Sequence, residues 1–166
     1  MVIDCHYHLE ERVLDKAGLL QEMDRSGVEK AALMGSMIAP FPEPPRVLLR
    51  ILQAILENRR LRKLGQILVA NFTRDGDIKI LGKPFRIVTD PDNKTVFDAV
   101  RAFPSRFLGW VFVNPRGRVD QATELRRYQD EPGFIGVKAH PFWHRFAPVE
   151  LLPVARVLAD LKKPLL

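Results

Sequence analysis

Five short segments of the chain are apolar on both faces, as buried parallel strands are: residues 2–6, 30–34 (KAALM), 107–113 (FLGWVFV), 134–139 (FIGVKA) and 164 onward (PLL). Amphipathic stretches at helical spacing separate them. Leu19, Leu20 and Met23 form an apolar stripe that stops at Gly27, a residue suited to closing a helix. Val96, Phe97, Val100 and Phe103 repeat in the same way behind a cap at Asp92 or Asn93, and Pro104 follows them. Ala122, Leu125 and Tyr128 lie on a helix that ends before Gly133. Leu151, Val154, Ala155, Leu158 and Leu161 line a last helix, which tolerates Pro153 only in its first turn.

The order is β-α-β, repeated. Strand starts lie about 28, 77, 27 and 30 residues apart, the range of a strand–helix unit except for the second interval. That interval holds one unit plus an insertion of about fifty residues, covering most of 37–90. It opens with PFPEPP and continues as a basic, broadly apolar helix around 46–64. From there it turns irregular through TRDGDIKILGKPF. A helix apolar over so wide a face must pack on something. We expect residues 44–64 to cover the site or to meet a neighbouring subunit through Leu48, Leu52 and Ile55, with plain packing as the alternative.

Unbroken alternation of strand and helix suits either a doubly wound sheet or a (β/α)8 barrel. No GxGxxG follows the first strand, so the usual dinucleotide reason for a doubly wound sheet is missing. The first strand, VIDCHYHLE, instead carries Asp4, His6 and His8 at alternate positions, which puts their side chains on one side of the backbone. Sites of barrels are built at the C-terminal ends of the strands, and this is where the two histidines fall. The reading is therefore a (β/α)8 barrel, of which residues 1–166 supply the N-terminal half: four units and the start of strand five.

Other strand ends should converge on the same mouth. Strand four ends GVKAHPFWHRF, where Lys138 and His140 alternate and Phe142, Trp143, His144 and Arg145 follow. Strand three ends in Asn114 and Arg116, and strand two in the small residues Gly35 and Ser36. Two neutral imidazoles suit a divalent metal, zinc above all, and a catalytic site keeps one coordination position open. Each residue also has a plainer reading. The histidines can be polar residues at a strand end, Lys138 a strand-end charge, His140 a buried hydrogen-bonded histidine, and residues 143–145 a packed loop. Cys5 should point opposite to His6, into the core.

Composition adds little to this and removes some alternatives. Hydrophobic residues are 46% and charged residues 28% of the 166, an ordinary globular balance for one domain. One cysteine excludes an internal disulfide framework and fits a reducing cytoplasm. No stretch approaches a membrane span, and the N-terminus lacks the order of a signal peptide. The net charge of +6 comes largely from Arg46, Arg50, Arg59, Arg60, Arg62 and Lys63. Without interleaved stacking aromatics this run reads as a solvated helix face and argues against nucleic acid.

The motifs IDCHYHL, AFPSRFLGWVFVNP and GFIGVKAHP, in this order and spacing, resemble the amidohydrolase-related metal-dependent hydrolases. The branch is the one that includes aminocarboxymuconate semialdehyde decarboxylase and resorcylate decarboxylases. The resemblance runs over most of the chain outside the insertion. It implies a distorted (β/α)8 barrel with a divalent metal at its mouth, His6 and His8 as the first-strand metal pair, and a small-molecule substrate that carries a carboxylate. It implies either hydrolysis or non-oxidative decarboxylation. Lys138 matches the carboxylated lysine of binuclear relatives or a carboxylate-binding lysine; His140, Trp143 and Arg145 would line the substrate. In the family, strand five supplies a histidine and strand eight an aspartate, so the expectation is that the natural chain continues past Leu166 or that two chains complete one another. The 166 residues alone would then bind metal weakly and not turn over. Two other readings stay open: a TatD-type deoxyribonuclease, told apart by salt-dependent DNA nicking, and a non-catalytic incomplete barrel, told apart by metal content. A homo-oligomer is expected.

Overall fold

In a computed structural model, the chain is described at residues 1–36, 46–61, 63, 71–72, 77–80, 83–87 and 89–166. It divides into two compact units, Met1–Met37 with Val88–Leu166, and Ile38–Ile87.

The first unit is a parallel sheet with helices between its strands. Strands β1 (Ile3–Leu9), β2 (Lys30–Gly35), β6 (Phe107–Phe112) and β7 (Phe134–Lys138) lie side by side in the order β1-β2-β6-β7. All three pairings are parallel. Helices α1 (Lys16–Ser26), α3 (Asn93–Ala102), α4 (Gln121–Tyr128) and α6 (Leu152–Leu161) cross between them. A 3-10 turn at Pro148–Leu151 leads into α6, and Pro153 sits in that helix's first turn, where its missing N–H costs nothing. Beyond α6 the chain starts another strand beside β7. Leu165 bridges Val137 in parallel, and the amide of Ala139 donates to the Leu166 carbonyl at 2.9 Å.

The apolar stripes expected from spacing are the buried ones. Leu19 and Met23 of α1, Val96, Phe97 and Val100 of α3, and Leu125 of α4 pack on one face of the sheet with Leu33, Val111 and Val137. Val154 and Leu158 of α6 join the same core. The other face carries a smaller cluster of Ala32, Met34 and Trp110 with Leu108 and Ile135 against it. Aspartates start three of the helices, accepting from backbone amides in the first turn: Asp15 from Gly18, Asp92 from Thr95 and Asp120 from Thr123. Gly27 ends α1 with φ 70°, a conformation glycine adopts without strain. Of the two candidate caps of α3, Asp92 is the cap, and Asn93 turns inward instead.

At β7, Gly136 has φ 156°, and the β6–β7 register shifts beside it. A Cβ there would stand 2.5 Å from the Pro164 carbonyl oxygen and 2.8 Å from the Trp110 ring, so only glycine lets residues 164–166 lie against the sheet. Phe134 and Val137, three apart, both belong to the helix-facing core.

Two expectations fail here. Cys5 is exposed, not core. The β1–β2 register slips between Asp4 and Tyr7, so the packing of Tyr7 and Leu9 on the core does not extend by simple alternation to Cys5. The tract TRDGDIKILGKPF is not wholly irregular either. Its β4 (Ile78–Ile80) and β5 (Lys83–Phe85) form an antiparallel sheet with β3 (Asn71–Phe72) in the second unit.

The second unit also holds α2 (Arg46–Glu57), shorter than the 46–64 expected because Asn58 closes it in a turn. Leu48 and Ile55 are half-buried, while Val47 and Ile51 are exposed. The Leu52 side chain and residues 37–45 and 64–70 lie outside the described residues. Arg50, Arg59, Arg60 and Lys63 are exposed, as a solvated face should be.

Candidate metal centre

The two histidines of β1 meet. His6 Nε2 and His8 Nε2 stand 3.2 Å apart, with ring centroids at 5.1 Å. Two nitrogens bound to one zinc at 2.0–2.1 Å with a near-tetrahedral angle are about 3.3 Å apart, so the spacing is that of a chelating pair. His8 reaches the end of the neighbouring strand with its other nitrogen. Its Nδ1 donates to the Gly35 carbonyl at 2.9 Å. A carbonyl only accepts, so in the neutral ring Nδ1 holds the hydrogen and Nε2 keeps the lone pair a metal takes. Burial pulls the His8 pKa down; the Gly35 bond opposes this, and the positive charges of His6 and Lys138 add to it. The ring is thus kept in the neutral form that binds metals. Asp4 serves the backbone instead, accepting from the His6 amide at 2.9 Å.

The end of β7 adds the basic groups. Lys138 is 9% exposed, and burial lowers its pKa. Among the described residues no carboxylate forms an ion pair with it. His140 is half-buried, and its pKa is lowered first by burial, then by the charges of Lys138, His144 and His8. These four groups therefore share one neighbourhood. His140 also starts the short helix α5 (Pro141–His144), its Nδ1 accepting from the Trp143 amide at 3.4 Å. His144 is buried; its ring lies 5.7 Å from Phe112, which lies 6.4 Å from His8 on the other side. All four histidines of the chain are thus at this end of the sheet.

Trp143 is half-buried, 5.6 Å from His140 and edge-on to Phe142 at 5.1 Å. Arg145 closes α5 in the left-handed conformation (φ 52°) and is exposed. The β6 end is different. Asn114 is buried as a loop brace, donating to the Thr89 carbonyl and accepting from the Arg116 amide, and Arg116 pairs with Glu150. Those two are structural. Among the described residues no three His, Cys, Asp or Glu groups gather as a complete metal set, so the donors present are the imidazole pair.

Sequence reasoning missed the support of that pair. The Gly35 carbonyl holds His8, the Phe112 ring lies beside it, and His144 joins the cluster. Only His144 left a signal, as the fourth histidine behind a strand end.

A parallel sheet with alternating helices and a histidine pair at the strand ends fits part of an α/β barrel. No protein-family model matches the sequence, and no curated protein does. Among solved structures, the chain is similar to 5-carboxyvanillate decarboxylase from Novosphingobium aromaticivorans. A variant of that enzyme, solved with manganese and 3-methoxy-4-hydroxy-5-nitrobenzoic acid, matches at TM-score 0.51 and 24% identity. The match covers 93% of this chain and 35% of that one. A second structure of the enzyme with manganese matches at 23% identity and TM-score 0.47, with the same coverage. The chain thus spans about a third of the length of the enzyme it matches, and the likeness is one of fold.

Proposed function

We propose that the chain is the N-terminal half of a (β/α)8-barrel enzyme of the amidohydrolase type, a metal-dependent hydrolase or non-oxidative decarboxylase of a small, carboxylated organic substrate. The observation that carries this reading is the 3.2 Å pair of Nε2 atoms at the C-terminal end of β1, with His8 locked by Gly35. His6 and His8 would hold a divalent metal. Their imidazoles favour zinc, while the solved decarboxylase holds manganese. When bound, such an ion polarises a carbonyl or carboxylate and lowers the pKa of bound water.

The chain's own residues supply the rest. Lys138, buried without a carboxylate partner among the described residues, offers a cation to a substrate carboxylate. Arg145 offers a second from the exposed rim, and Trp143 a flat wall. His140 accepts at Nδ1, which leaves its Nε2 to carry a proton. Among the described residues the imidazole pair supplies two metal ligands, and turnover in this reading draws on further ligands of the barrel. The inserted segment 37–90 is proposed as a lid or a subunit contact. The exposed thiol of Cys5 suits a reducing cytoplasm.

Elemental analysis after reconstitution tests the core of this. With a divalent ion in excess, the chain should carry metal weakly, and both His6→Ala and His8→Ala should lower that content. Equal metal content in the wild type and both variants would remove the reading.

A further inference from the structure

His8 is useful only if its ring is held with Nδ1 toward Gly35, and that carbonyl is itself held from behind. Gly35 is the last residue of β2; it pairs with Leu9 of β1, while the pairing of β2 to β6 ends at Leu33. Beyond that pairing its backbone also rests on the turn before α3. A Cβ at Gly35 would stand 3.2 Å from the amide nitrogen and the carbonyl oxygen of Asp92, and 3.2 Å from Pro91 Cβ. The strand end and the turn are in contact, with no room between them.

The turn is anchored by a side chain that looked like a helix cap. Asn93 is 1% exposed. Its Oδ1 accepts from the Phe112 amide at 2.7 Å, and its Nδ2 donates to the Phe112 carbonyl and to Glu124, each at 2.9 Å. One amide side chain thus satisfies both backbone groups at the end of β6, as a neighbouring strand would. Its own amide donates to the Pro91 carbonyl at 3.0 Å, which closes the turn. Capping needs none of this, because Asp92 performs it. Phe112, the residue Asn93 grips, also presents its ring to His8 at 6.4 Å.

We propose that Asn93 is a positioning residue for the histidine pair. It anchors the Pro91–Asp92 turn against Gly35, and this seat fixes the carbonyl that holds His8 with Nε2 toward His6. The consequence for metal binding rests on the function proposed above; the consequence for the His8 ring does not.

The test uses the full chain and two readouts: the His8 tautomer from imidazole nitrogen NMR without metal, and affinity for Co2+ alone. Asn93→Ala removes the anchor. Gly35→Ala disturbs the seat from the other side, because its Cβ meets backbone that must shift. Both should mix the His8 tautomers and lower Co2+ affinity about tenfold, the low end for loss of a ligand's support. Val100→Ala, on the same helix and buried, is the control for destabilisation alone and should change neither readout. A pure Nδ1–H tautomer in both Asn93→Ala and Gly35→Ala would overturn the proposal, as would an equal tautomer change in Val100→Ala. If Asn93→Ala fails to fold, Gly35→Ala decides. If His6→Ala and His8→Ala show that the wild type binds no Co2+ through the pair, the metal reading fails and the tautomers still decide the positioning role.

Discussion

Strands β1 and β6 belong to one parallel sheet and do opposite work. β6 has neighbours on both sides, and Phe107 and Val111 are fully buried. Among the described residues β1 has a neighbour on one side, and Asp4, Cys5 and His6 are exposed. The candidate donors lie at the C-terminal end of β1, while the strand paired on both sides contributes most to the buried core. The most buried residues are thus in the middle of the sheet and the candidate donors at the strand ends.

The largest test of this division removes a side chain from the middle. Phe107→Ala should cost about 3–5 kcal/mol in urea unfolding, the range for truncating a buried phenylalanine. A cost under about 1 kcal/mol would mean that β6 is not the anchor.

Gly109→Ala in the same strand adds atoms instead. Its Cβ would lie 2.9 Å from the Phe97 ring, which stacks on Tyr128 at 4.6 Å, so both rings must move. We expect a loss of about 1–3 kcal/mol and a change in near-ultraviolet circular dichroism from the displaced tyrosine. A variant as stable as the wild type would show slack in this layer.

Acid should separate the two regions by pH. His8 and His140 have pKa values lowered by burial in the fold. Their stabilisation is present above the unfolded value of about 6.5 and is lost as pH falls through the folded values. Glu131 is lowered by its bond to Arg101, and Glu150 by Arg116. Their contribution is present above about 4.3, the unfolded value for Glu, and is lost only as pH falls through the folded values below it. Amide exchange should therefore quicken first around β1 and α5 and later between α3 and the β7 turn. Simultaneous loss would contradict the separation.

The smallest effect belongs to the edge. Cys5→Ser should change stability by no more than about 0.5 kcal/mol in thermal unfolding, since the side chain is exposed and makes a weak contact to the Ile3 carbonyl at 3.8 Å. A larger loss would place Cys5 back in a packed environment.

The sheet, its helices and the meeting of His6 with His8 were legible because each follows from local periodicity. Leu19 with Met23, and Val96 with Phe97 and Val100, mark their buried faces without knowledge of the partner. The misplaced Cys5 shows the limit of that logic: parity gives the side of a strand, and whether that side is covered depends on what lies next to it. The antiparallel strands at 78–80 and 83–85 are too short to leave a periodic signal. α5 owes its existence to a cap by His140 rather than to helical spacing. Asn93 reads locally as a cap, and its bonds to Phe112 and Glu124, 19 and 31 residues away, leave no trace in the nearby sequence.

Gly136 carries a consequence for the handedness of the site within β7. Strict alternation from Phe134 would send Lys138 and His140 toward the helices, in step with it. Because the chain slips at this glycine, Val137 and Ala139 take the helix side, and Lys138 and His140 fall with Ile135 on the other. The glycine works as a phase switch, one residue that reassigns every later side chain to the opposite surface. Deleting or inserting a single residue in β7 would move the two basic groups out of the mouth without changing the composition of the strand at all.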